Sequence, residues 1–160
     1  MRNIALALAL GVAASGAATA ADYSTATYGA VMGSYTNPAS KRDADYGIGG
    51  QVVFLGLPLS KRFNVEFSSF ATSLKRESDN GHDSQVGLGI DLMVPLLDGK
   101  VRPFLLAGFG GVYEEIKNAI DDTTLFPYAN AGAGVLLAIN DRLSARGEVR
   151  YMVDFNDEII

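Results

Sequence analysis

Residues 142–160 read RLSARGEVRYMVDFNDEII. Taken every second residue, Leu143, Ala145, Gly147, Val149, Tyr151, Val153 and Phe155 form one face. Ser144, Arg146, Glu148, Arg150, Met152 and Asp154 form the other, with four ionisable groups. A period of two marks a β-strand, because successive side chains point to opposite faces. The fold turns on which face is inside.

The same period recurs upstream. In Gln85–Leu96 the even positions are Val86, Leu88, Ile90, Leu92, Val94 and Leu96, against Gln85, Gly87, Gly89, Asp91 and Met93. In Tyr128–Ile139 the odd positions are Ala129, Ala131, Ala133, Val135, Leu137 and Ile139. Seven strands are expected, near 24–36, 45–56, 62–73, 84–96, 101–115, 125–139 and 142–155. At ~3.3 Å per residue and a tilt of roughly 40°, about 11 residues rise ~28 Å, close to the apolar thickness of a bilayer. The connections alternate between tight turns (GLPLSKR, PLLDGK, INDR) and longer polar stretches (TNPASKRDA, LKRESDNGHDS, EIKNAIDDTTL). That asymmetry suits a membrane barrel with short periplasmic turns and long outer loops.

A soluble sandwich or lipocalin-type barrel would turn the apolar face inward. Three features favour the inverted arrangement. All five lysines (Lys41, Lys61, Lys75, Lys100, Lys117) fall in connections or at strand ends. The polar faces are lean, with Gly87, Gly89, Gly108, Gly110, Gly132 and Gly134 between isolated charges. Aromatics (Tyr35, Tyr46, Tyr113, Phe155) gather toward strand ends, as in an interfacial girdle. The inward-facing charges are then Glu66, Asp91, Arg102, Glu114, Arg146, Glu148, Arg150 and Asp154, a lumen network that must pair because desolvating a charge is costly.

Composition narrows the function classes. The chain has 160 residues, no Cys, no Trp and one His, so disulfides and thiolate metal sites are excluded. Apolar residues are 48% of the total, yet no run approaches the roughly 20 residues of a spanning helix. Residues 1–20 read as a secretory signal: Arg2, an apolar stretch from Ile4 to Val12, and Ala18-Thr19-Ala20 as the cleavage site. Without Arg2, the 18 acids outnumber 12 bases, so nucleic acid is not an expected partner. No cofactor is expected. GFGG and AGAG do not complete a phosphate-binding glycine loop and read as packing glycines in crowded strands. His82, with Ser78, Asp79, Asp83 and Ser84, reads as a solvated turn around Asn80-Gly81 rather than a nucleophilic triad. Asp121-Asp122 and ESDNGHD lack the spacing of a calcium loop.

With the signal, the long alternating strands, VRPFLLAGFGGVYEE and LSARGEVRYMVDF, the chain resembles the OmpA/OprF-like small outer-membrane β-barrels. The resemblance implies an eight-stranded antiparallel up-and-down transmembrane barrel whose mature N-terminus is periplasmic. It also implies the outer membrane of a Gram-negative bacterium as location. Expected partners are outer-membrane lipid and lipopolysaccharide, periplasmic chaperones and the barrel-assembly machinery. Roles in envelope integrity, surface contact and slow solute passage follow, without enzymatic activity; a solute pore and a lipid A-modifying enzyme are the alternatives. Salt bridges in the lumen are implied, with Arg146 and Glu148 as the best matches and Glu66 as partner. Seven strands leave such a barrel one short. Residues 21–160 are therefore expected to be a barrel domain truncated at its C-terminus, lacking the last strand.

Overall fold

The computed structural model describes residues 3–15, 26–38, 46–75, 82–115, 123–140 and 142–155. Eight strands appear: β1 (Asn3–Ser15), β2 (Tyr28–Pro38), β3 (Tyr46–Ser60), β4 (Phe63–Lys75), β5 (His82–Pro95), β6 (Val101–Glu115), β7 (Thr123–Ala138) and β8 (Leu143–Asp154). Each pairs antiparallel with its neighbours in chain order, and β1 pairs with β8, so the sheet closes on itself. Closure leaves no unpaired edge, which hydrocarbon would not tolerate.

The eighth strand corrects the expected count of seven. It is Asn3–Ser15, set between β2 and β8, with Leu10 in register with Gly33 of β2 and with Gly147 of β8. The stretch has a double character. Ile4, Leu6, Leu8, Leu10 and Val12 alternate with Ala5, Ala7, Ala9, Gly11 and Ala13. Bulk hydrophobicity makes it look like an export signal, while alternation of large and small residues makes it a strand. The cleavage site at Ala18–Ala20 lies outside the described residues.

β3 also runs past its expected end at residue 56, through Pro58 to Ser60. The register shifts between Val53 and Leu55 and again between Pro58 and Ser60. Bulges of this kind accommodate a proline, which has no N–H to give the ladder. The turn into β4 then shrinks to Lys61-Arg62, with the Arg62 N–H donating to Ser60 Oγ at 3.3 Å.

The shortest strands, β2 and β8, have 11 and 12 residues, long enough to cross an apolar band about 25 Å tall at a tilt near 40°. Exposure shows which face is inside. On β8, Val149 and Tyr151 are 44% and 45% exposed, while Arg146 and Glu148 are both 2%. Val31, Ile48, Leu88 and Phe109 are over 60% exposed on the outside of the barrel. A water-soluble protein would not present such a continuous apolar exterior around a charged interior. Tyr35 and Tyr46 stack with ring centroids 6.1 Å apart on that exterior, at the end carrying the long connections.

Candidate functional site: the lumen charge network

The barrel interior is layered. Nearest the short turns, Tyr28, Met93, Phe104, Leu106 and Leu136 pack as an apolar plug with Ala30, Met32 and Val53. Period two assigns the inward face to glycines and isolated charges, and this apolar layer departs from it. Its signal lay in the unbroken runs PFLLA (103–107) and VLLA (135–138), where both faces of a strand are apolar.

Beyond the plug lies a chain of alternating charges. Arg146 of β8 reaches across the lumen to Glu66 of β4 as a two-pronged pair, Nη1 donating to Oε1 at 2.7 Å and Nη2 to Oε2 at 2.9 Å. Its Nε donates to Glu148 Oε2 at 2.9 Å. Arg150 Nε donates to Glu148 Oε1 at 2.6 Å, and its Nη1 to Asp91 Oδ2 at 2.7 Å. The order is Glu66–Arg146–Glu148–Arg150–Asp91, with three carboxylates and two guanidiniums, every side chain at most 6% exposed.

Neutral groups complete the network. Tyr28 donates its hydroxyl to Glu66 Oε1 at 2.5 Å. Asn130 Nδ2 donates to Asp91 Oδ1 at 2.8 Å, and Ser68 Oγ to Asp91 Oδ2 at 3.2 Å. The Phe104 ring lies 4.9 Å from Arg146 Cζ, joining the charged and apolar layers. Charge-assisted and two-pronged bonds are the strong class, and their fixed geometry limits what the lumen side chains can rearrange into.

Local sequence explains the placement. On β8, Arg146, Glu148 and Arg150 sit at alternate positions and so share the inward face. Glu66 and Asp91 are direct cross-strand partners on β4 and β5, two like charges side by side. Such a pair is repulsive until opposite charge is brought to it. Glycine makes room for these groups. A Cβ at Gly108 would meet Asp91 Oδ1, and one at Gly134 would strike the Phe104 ring and the Gly147 carbonyl.

Of the eight charges expected in the lumen, the structure brings Glu66, Asp91, Arg146, Glu148 and Arg150 together. Arg102 is a correction. It stands at the rim, where Nε donates to the Gly99 carbonyl at 2.8 Å, because β6 has only just left its turn. Glu114 and Asp154 fall at strand ends, and their side chains lie outside the described residues. So do the side chains of His82 and Asp83, and all of Ser78, Asp79, Asp121 and Asp122. The strand backbone at His82 pairs with Lys75. Tyr28, Ser68 and Asn130 were not picked out from the sequence. A hydroxyl or amide on the inward face of a strand carries no marker of its own until the facing charge is known.

No curated protein and no solved structure matches the chain. Residues 4–159 match the family model of the outer membrane protein beta-barrel domain, a span that takes in nearly all of β1 as well as β2–β8. The closed antiparallel barrel, apolar outside and charged within, agrees with that match. The chain therefore belongs to the outer membrane protein β-barrel domain family, and its place is the outer membrane.

Proposed function

We propose that this protein is a structural barrel of a Gram-negative outer membrane, contributing to envelope integrity and surface contact, with no enzymatic activity. Its lumen serves as a static polar plug. The observation that carries this reading is the five-charge chain spanning the interior from β4 to β8 with both ends capped by neutral donors. An eight-stranded barrel is just wide enough for its side chains to fill, and this one is filled twice over, by an apolar layer and a charged one in series. An ion crossing it would have to displace both. Residues 1–20 direct export in this reading and are cleaved, so in the mature barrel the place that β1 takes between β8 and β2 falls to another strand. Lipid, lipopolysaccharide, periplasmic chaperones and the assembly machinery are its partners.

A charge-gated pore for small solutes is the second reading, favoured by the net negative charge of the network, which leaves it one cation short. Planar-bilayer recording separates the two. A plug gives no discrete steps with the full chain, and none with Glu148→Ala beyond brief leaks. Regular steps whose size or open time changes in Glu148→Ala would replace the plug by a gate. Incubation with lipid A followed by mass spectrometry tests the non-enzymatic reading, and an acyl-chain mass change would overturn it.

A further inference from the structure

The two ends of the barrel carry opposite charge. At the short-turn end, Lys61 and Arg62 fill the β3–β4 turn, Lys100 and Arg102 stand around the β5–β6 turn, and Arg142 closes the β7–β8 turn. The acids in those three turns are Asp98 and, by sequence, Asp141, and the fourth connection at that end, 16–27, adds Asp22, so five bases face three acids. At the other end the connections 39–45, 76–81 and 116–122 hold six acids against four bases. Those connections lie outside the described residues.

The basic turns sit directly on an apolar collar. Leu59 and Phe63 flank Lys61-Arg62 at 67% and 46% exposed, and Leu97 and Val101 flank Lys100 at 61% and 56%. Ile139, 59% exposed, stands three residues from Arg142. Lys61, Arg62, Lys100 and Arg142 are themselves exposed. Local bonds hold two of the turns in shape. Asn140 Oδ1 accepts the N–H groups of Arg142 and Leu143, each at 2.9 Å, and Gly99 takes a φ of 120° that suits glycine. Where hydrocarbon-facing residues stop, ammonium and guanidinium groups begin within one to three residues. That is the depth at which long basic side chains meet lipid phosphates.

From this juxtaposition we infer that the short-turn rim is a docking surface for anionic phospholipid headgroups, drawing phosphate-bearing lipids of net negative charge to that end of the barrel. The charge is complementary, the collar fixes the depth, and three separate turns present the cations around the rim. The connections at the opposite end carry a surplus of acids over bases.

The test uses the full chain folded in neutral detergent and titrated with phosphatidylglycerol or phosphatidylcholine, with bound lipid counted by native mass spectrometry. Each base near an anionic surface contributes about fivefold. The wild-type chain is expected to hold phosphatidylglycerol at least about tenfold better than phosphatidylcholine. Lys61→Gln/Arg62→Gln/Lys100→Gln/Arg142→Gln should erase that preference while keeping the folded gel mobility. Lys41→Gln/Lys117→Gln, at the other end, should keep it. If the fourfold variant does not fold, Lys61→Gln/Arg62→Gln is read alone and should lose a large part of the preference. Equal retention of the two lipids by the wild type, or a preference untouched by the turn substitutions, overturns the inference. So does displacement of the lipid by millimolar inorganic phosphate, which would assign the rim to the free ion.

Discussion

Replacing Arg146 by methionine removes the hub of the lumen network while keeping much of its bulk. The side chain makes three charge-assisted hydrogen bonds to two carboxylates, all in a site where both partners have no exposure. After Arg146→Met, Glu66 keeps only the Tyr28 hydroxyl, Glu148 keeps Arg150, and three carboxylates share one guanidinium. Stranding a buried partner in this way costs about 3–5 kcal/mol, a fall of roughly two to four decades in the folded-to-unfolded ratio. The cost arises from the uncompensated carboxylate and not from lost packing, so a second substitution should recover part of it. Glu66→Gln added to Arg146→Met is expected to restore about 1–3 kcal/mol. The chain has no Trp, so urea titration in lipid vesicles is followed by far-UV circular dichroism and by the gel mobility of the folded form. A loss under about 1 kcal/mol for Arg146→Met would show that the buried bonds count for little. A double variant no more stable than the single would show that charge is not the reason for the loss.

Four further outcomes concern other parts of the barrel. Leu88, 62% exposed near the middle of β5, faces hydrocarbon; Leu88→Arg should cost about 2–4 kcal/mol by the same titration, and a neutral result would place that face in water. Gly108→Ala should cost about 1–3 kcal/mol by pushing Asp91 away from Asn130. Gly33→Ala on the exterior, whose added Cβ meets nothing nearer than 4.0 Å, should change stability by less than about 0.5 kcal/mol. Refolding a chain that begins at Ala21 removes β1, with its 11 register pairs to β2 and 12 to β8. That chain should give no compact, heat-modifiable monomer by itself, whereas the full chain should; a compact monomer from both would show that β1 is dispensable for closure.

Strand existence, the inverted faces and the central charges were legible because each rests on alternation, which a single residue's neighbours reveal. Glu148 between Arg146 and Arg150 is such a case: three inward positions in a row declare the face, while the pairing to Glu66 and Asp91 needs the strands in place. The eighth strand was hidden because Asn3–Ser15 satisfies two physical descriptions at once, an export signal by its bulk hydrophobicity and a strand by its period. The extension of β3 was hidden behind Pro58, which a bulge accommodates. Arg102 was misplaced because period two fixes a side chain's face but not its height along the barrel axis. The apolar plug was overlooked for a related reason. A strand apolar on both faces, as at Phe104–Leu106, shows no contrast to read.

Glu66 and Asp91 stand opposite each other in the ladder between β4 and β5, and the cations that quiet them come from β8, 80 and 59 residues further along the chain. The earlier hairpin thus carries a built-in penalty that a later strand removes. β8 arrives with its own acid between its two bases, offering one surplus positive charge to two waiting negative ones. Electrostatics in this barrel thereby ties the middle of the chain to its end: a half-assembled sheet is penalised, and closure is rewarded in one step.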